Sequence, residues 1–169
     1  KVTGSYGDGS TEGIDNSGTS ISWTSDNAKG SVTLSKLPAG TYKLEEITSP
    51  DGFTLKTEEM TFTVDSKGNV TTASNLTKND NGNGVIMEDE ASSVSIVKVG
   101  KDGESTKELP GASMKLTYTG TGDADLSKVT AENGEITGNA EGSKEITWIS
   151  GDKAIKLNQI PDGKYTLEE

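Results

Sequence analysis

Three side chains stand where condensation chemistry could occur, in a chain with few other reactive groups. Lys98 follows Val94 and Ile96 at period two in Val94-Ser95-Ile96-Val97-Lys98, so it shares whichever strand face those two bury. Glu46 follows Tyr42 and Leu44 in the same way, and Asp89 follows Val85 and Met87. An ionisable group on an apolar face is costly unless it is paired or neutralised, and burial disfavours the charged form of both an amine and a carboxyl. A neutral amine is a nucleophile and a protonated carboxyl carbon an electrophile. Held on neighbouring strands, such a pair can condense to an amide. The plainer reading is solvation: a lysine whose ammonium reaches water near a strand end, and carboxylates that open exposed turns. A register slip of one residue transfers the carboxyl roles to Glu45, Glu88 or Glu90. Lys98 and Asp89 are poor partners for each other, because nine residues are too few for the crossover that parallel strands require.

The remaining composition closes off most other chemistry. All 16 cations are lysine, 27 residues are Asp or Glu, and the formal net charge is −11. With no Arg, His or Cys, the chain cannot build a disulfide, a thiol nucleophile, a Cys/His zinc site, a Ser-His-Asp triad or an arginine clamp. No cofactor and no metal is expected. The anionic surface disfavours nucleic acid and anionic lipid, no run is long enough to insert in a membrane, and no signal peptide is visible. Asn79-Asp80-Asn81-Gly82-Asn83-Gly84, with Glu90 at the twelfth place, has the spacing of a calcium loop. Asn occupies its first place and no helix flanks it, so a hairpin loop is the better reading. Gly4-Ser5-Tyr6-Gly7-Asp8-Gly9 lacks the helix and lysine of a phosphate loop and reads as a plain loop. Trp23 and Trp148 could be sugar-stacking platforms, but core tryptophans of a sandwich are favoured.

Short strands must position these residues. Leu, Ile, Val and Phe number 31, below one residue in five, a proportion that alone marks disorder. The pattern says otherwise. Alternating β-branched or aromatic and polar residues predict strands over 23–25, 32–34, 42–47, 60–64, 85–87, 94–99, 114–118, 146–149, 155–157 and 165–167. Turn signals separate several of them, among them Pro38-Ala39-Gly40, Pro50-Asp51-Gly52, Ser66-Lys67-Gly68-Asn69 and Pro161-Asp162-Gly163. No window carries a helical apolar stripe, so the expected class is all-β, with antiparallel sheets wet on one face.

Part of the sequence recurs. Ile21-Ser22-Trp23-Thr24-Ser25 returns as Ile146-Thr147-Trp148-Ile149-Ser150, and Leu37-Pro38-Ala39-Gly40-Thr41-Tyr42-Lys43-Leu44-Glu45-Glu46 returns as Ile160 to Glu169. Lys1-Val2-Thr3 is matched, more weakly, to Lys115-Leu116-Thr117. The offset between the tyrosines Tyr42 and Tyr165 suits tandem domains rather than a solenoid. Two are expected, 1–91 with its opening strand missing and 92–169 with its closing strands missing. The Gly/Asn-rich stretches 4–19 and 119–144 are read as loops.

In order, the pieces are Val94-Ser95-Ile96-Val97-Lys98, Leu109-Pro110-Gly111-Ala112, a Trp-x-Ser strand, Pro-x-Gly-x-Tyr-x-Leu-x-Glu, Ser49-Pro50-Asp51-Gly52-Phe53 and Val85 to Glu90. This series resembles the collagen-adhesin B-type (Cna B-type), or SpaA-like pilin, repeats of Gram-positive surface proteins. The resemblance implies tandem immunoglobulin-like β-sandwiches with Greek-key connections. It also implies a spontaneous isopeptide bond between a lysine of the first strand and an Asn or Asp of the last, assisted by a buried acid. Carried over, Lys98 is the lysine and Glu169 the acid of the second copy, with Glu168 as the slip alternative; Glu46 is the acid and Asp89 the acceptor of the first. Neither set is complete in this chain. The implied role is a stalk or shaft segment at the cell surface, extracellular and bound to the cell wall, whose partners are neighbouring repeats of the same polypeptide or pilus. Self-cross-linking is a single turnover rather than enzymatic catalysis. The alternative is a module binding a host protein or glycan through the loops. A hydrolase using paired carboxylates would need a cleft between exposed acids.

Overall fold

The computed structural model describes residues 1–169, which form two compact units, Lys1–Leu44 with Glu58–Met87, and Glu45–Thr57 with Glu88–Glu169. Segment 45–57 thus belongs to the second unit. The structure is all-β, with no α-helix; its one helical turn is a 3-10 turn, Leu126–Lys128, capped by the Asp125 carboxylate accepting from the Ser127 N–H at 2.9 Å.

In unit 1, β1 (Thr3–Tyr6) pairs antiparallel with β2 (Val32–Ser35). A second sheet has the order β3 (Gly40–Leu44), β4 (Met60–Val64), β5 (Val70–Ser74), and β6 (Thr77–Lys78) pairs with β7 (Val85–Ile86). β4 buries Met60 and Val64 at its two ends, and Phe62 stacks on Tyr42 of β3 at 5.5 Å. The β4–β5 turn closes on Asp65, whose carboxylate accepts the N–H groups of Lys67 and Asn69. Hydrogen bonds from Asn69, foremost, hold the Asp65 carboxyl below its usual pKa.

Unit 2 contains β8 (Ser93–Ile96), β9 (Val99–Asp102), β10 (Ser105–Glu108), β11 (Ser113–Tyr118), β12 (Thr130–Glu132), β13 (Glu145–Ile149), β14 (Ile155–Asn158) and β15 (Tyr165–Glu168). Two antiparallel sheets, β13-β11-β15 and β12-β14-β8, enclose one core. Period-two alternation supplies it: Met114 and Leu116 from β11, Ile146 and Trp148 from β13, Ile155 and Leu157 from β14. Leu126 of the 3-10 turn and Val129 complete the core. Each such side chain contributes about 1.5–3 kcal/mol on burial. β9 and β10 form a separate hairpin.

Several expectations are corrected. No strand forms at Trp23; Ser22 makes only an isolated bridge to Asp15, the counterpart of the bridge between Thr137 and Thr147. β13 is a full strand because β11 pairs along it, and no strand fills that place in unit 1. Lys1-Val2-Thr3 corresponds not to Lys115-Leu116-Thr117 but to Lys128-Val129-Thr130. Thr3 pairs with Ser35 and Thr130 with Asn158, equivalent positions of the repeated segment. The stretches read as loops therefore contain β1 residues and β12. Residues 94–99 are not one strand, since β8 stops at Ile96 and β9 begins at Val99. The strand expected over 42–47 stops at Leu44. β5 and the β9–β10 hairpin were not anticipated, because their faces are mostly polar and exposed. The Asp102-Gly103 pair was nevertheless a hairpin signal.

Candidate functional site

The repeated Pro-x-Gly-x-Tyr segment builds the same corner twice. The Tyr42 hydroxyl donates to the Pro38 carbonyl at 2.6 Å, and the Tyr165 hydroxyl to the Pro161 carbonyl at 2.7 Å. Burial, helped by the neighbouring Tyr118, Asp162 and Asp51, pushes the Tyr165 phenol up to about 12. From each corner the strand leads through Leu44 or Leu167 to the acids.

At the end of β15 the structure brings Lys98 and Glu169 together, with Nζ 2.5 Å from Oε2. The pair is not buried as the strand pattern suggested: the side chains are 27% and 53% exposed. β8 is an edge strand, paired only with β14, and ends before Lys98. The chain then turns towards the β9–β10 hairpin, and the Lys98 carbonyl accepts from the Leu109 N–H at 2.8 Å. Beside this pair, Lys115 Nζ lies 2.8 Å from Glu168 Oε2 across the β11–β15 ladder, which raises the lysine's pKa. Sequence reasoning missed this contact, since it needs the β11–β15 register. The slip alternative Glu168 is thus engaged with a different lysine.

Glu46 and Asp89 lie in another strip of unit 2. Glu46 is half-buried, and its Oε2 accepts from the Lys56 N–H at 2.7 Å. Asp89 is half-buried too, with Oδ1 enclosed and without a hydrogen-bond partner. Phe53 bridges antiparallel to Ala91, and the Thr54 N–H donates to the Glu90 carbonyl at 2.8 Å. Glu45, Glu88 and Glu90 are exposed.

The Trp-x-Ser motif has a use that the sequence did not reveal. Buried Ser150 accepts from the Ala112 N–H at 2.9 Å and donates to the Leu109 carbonyl at 2.7 Å, fixing the Leu-Pro-Gly-Ala bend to β13. Trp148 is 5% exposed and belongs to the core, whereas Trp23 is half-buried. The Asn79–Gly84 loop joins β6 to β7 and closes on itself: Asn79 Oδ1 accepts the N–H groups of Asn83 and Gly84, and its Nδ2 donates to Asn83 Oδ1. No group of three Asp or Glu side chains is placed to hold a metal ion. A groove of about 310 Å³, lined by Val94, Ile96, Leu116, Ile160, Pro161 and Tyr165 among others, is largely apolar and offers Asp162 as its one carboxylate.

Sheets of short strands, tyrosine corners and lysine–carboxylate pairs define a structural β-domain. Residues 8–80 match the family model of the SpaA prealbumin-like fold domain, consistent with the SpaA-like resemblance read from the sequence. SpaA domains belong to Gram-positive surface pilins. No curated protein and no solved structure gives a significant match. No helix is long and apolar enough to cross a membrane.

Proposed function

We propose that the chain is a shaft segment of a Gram-positive adhesin or pilus at the cell wall, in which tandem sandwiches are locked by Lys–Asp or Lys–Asn isopeptide bonds. The observation that carries this reading is the 2.5 Å contact between Lys98 and Glu169, the lysine and the acid to which the family resemblance carries those roles. The enclosed, unpartnered Asp89 Oδ1 supports the acceptor role in the other copy. In the reaction the neutral amine attacks the acceptor Cγ, the C–N bond forms, and the C–O bond of Asp or the C–N bond of Asn breaks. The neighbouring glutamic acid carries the amine's proton to the departing water or ammonia. Fixed strands supply the proximity. This is one event per site, not turnover. A sugar-stacking platform would need an exposed aromatic face, and Trp148 is committed to the core.

The test is the intact mass of a polypeptide that carries a whole copy, with its lysine, acid and acceptor strands. The expected product is lighter by one water for Asp, or one ammonia for Asn. Glu46→Gln, in a copy that includes its lysine strand, is expected to retain full mass and to melt at lower temperature. Full mass after long incubation of the parent would remove the mechanism.

A further inference from the structure

The loop between β6 and β7 carries two of the three Asn-Gly pairs in the chain, Asn81-Gly82 and Asn83-Gly84; the third is Asn133-Gly134. An asparagine before glycine is open to attack by the next backbone nitrogen, because glycine has no side chain to block the approach. Local sequence gives the three pairs equal standing, and the structure separates them. At Asn83-Gly84 both reacting groups are held. The Gly84 N–H donates to Asn79 Oδ1 at 3.1 Å, and Asn83 Oδ1 accepts from Asn79 Nδ2 at 3.1 Å. The Asn83 N–H shares the same Oδ1, and the Gly84 carbonyl accepts from the Asn79 N–H at 3.0 Å. At Asn133-Gly134 the carboxamide donates to the Ala154 carbonyl at 3.2 Å, and a Cβ on Gly134 would stand 3.1 Å from Ile155 Cδ1. Asn81 is exposed, its carboxamide engages no other group of the chain, and the space about Gly82 is open. Only the turn bond from the Gly82 N–H to the Asn79 carbonyl, 3.0 Å long, restrains this pair.

We propose that Asn81-Gly82 is a site of spontaneous succinimide formation, and that the Asn79 carboxamide confines the reaction there by guarding Asn83-Gly84. The Gly82 nitrogen attacks Asn81 Cγ, the new C–N bond forms, the Cγ–Nδ2 bond breaks, and the Gly82 amide proton leaves with ammonia. Water then opens the ring at one of its two carbonyls. Opening at the former side-chain carbonyl gives aspartate; opening at the main-chain carbonyl gives isoaspartate, with the chain running through Cγ. Either product adds a negative charge to an already anionic chain. Isoaspartate also lengthens the main chain beside the Gly82 carbonyl, which accepts from the Val70 N–H at 2.9 Å and ties the loop to β5. Opening one exposed turn bond costs little, whereas freeing Gly84 requires the whole Asn79 clamp to let go. The site is independent of the cross-link: it gains a water and loses an ammonia, where the cross-link only loses mass.

The experiment is peptide mapping of the full 169-residue chain after incubation at mildly alkaline pH, native and in denaturant, scoring aspartate and isoaspartate at each Asn-Gly pair. In denaturant the three pairs are expected to react at similar rates. In the native chain Asn81 is expected to react roughly tenfold or more faster than Asn83, and ahead of Asn133. Asn79→Ala is expected to bring Asn83 up to the Asn81 rate. Asn79→Asp, which keeps an oxygen acceptor for the Gly84 N–H, is expected to leave Asn83 slow. Equal native rates at Asn81 and Asn83, or Asn133 reacting first, overturn the proposal, as does an Asn79→Ala chain in which Asn83 stays slow. If Asn79→Ala unfolds unit 1, the parent decides: an Asn81-to-Asn83 ratio that falls towards equality in denaturant supports the guard, and an unchanged ratio overturns it.

Discussion

The same sequence motif has two structural outcomes in this molecule. In unit 2, Ile146-Thr147-Trp148 is a strand paired along its length with β11, and Trp148 joins a core of eight buried side chains. In unit 1, Ile21-Ser22-Trp23 makes one isolated bridge, and Trp23 is only half-buried. The local sequence is nearly equal; the neighbour is not. β11 pairs with both β13 and β15, and it gives each a partner edge and an apolar floor. In unit 1 the β15 counterpart, β3, finds its partner in β4. A motif with alternating side chains becomes a buried strand only when another strand satisfies its backbone.

The sharpest way to break this comparison is to truncate the two tryptophans. Trp148→Ala is expected to cost about 3–5 kcal/mol in denaturant unfolding, the cost of emptying a packed core site. Trp23→Ala is expected to cost about 1 kcal/mol or less, as for a partly solvated residue. Equal losses would mean that Trp23 is as embedded as its counterpart.

A smaller contrast concerns the two tyrosine corners. Tyr165→Phe deletes a bond to the Pro161 carbonyl at a half-buried site, for an expected loss of about 1 kcal/mol; Tyr42→Phe deletes the exposed equivalent and should cost less. The phenol adds a pH signature. Its folded value of about 12 exceeds the ordinary tyrosine value of 10.0, so the folded state holds the proton more tightly. Stability from this group is whole below pH 10 and falls as pH rises from there through about 12. Alkaline unfolding of Tyr165→Phe should therefore be less steep over that interval, and an identical profile would count against the corner's burial.

The smallest effect separates β12 from β1. Glu132 sits opposite Lys156 and accepts from Asn158 and Lys156, whereas Ser5 and Thr33 occupy the matching ladder positions in unit 1. Hydrogen bonds from Asn158 first, then Lys156, lower the Glu132 pKa. Its contribution is present above the unfolded glutamate value and disappears as pH falls through the lower folded value. Glu132→Gln should be slightly less stable at neutral pH, converge with the parent in acid, and lose the difference in high salt. Ser5→Ala should show no such pH dependence.

Much of unit 2 was legible in the sequence. Met114 to Tyr118, Ile146 to Ile149 and Ile155 to Leu157 alternate so regularly that strand, face and core residues follow from period two. Lys98 and Glu169 were likewise identifiable as partners through the family pattern, and the structure brings them into contact. Their exposure was not legible, because nothing local shows that β8 is an edge strand ending at Ile96. The Lys115–Glu168 pair and the role of Ser150 stayed hidden for a related reason. They join residues 53 and about 40 positions apart, through registers that only assembled sheets define.

The sequence by itself determined the chemistry that is absent, the all-β class, the turns and the repeated tyrosine corner. Each follows from residue type or from interactions within a few positions. Tertiary structure decided which copy of the tryptophan motif became a strand, where Lys1-Val2-Thr3 belongs, and that segment 45–57 is built into unit 2. Those outcomes depend on which strand edges meet. Period and propensity carry no information about that.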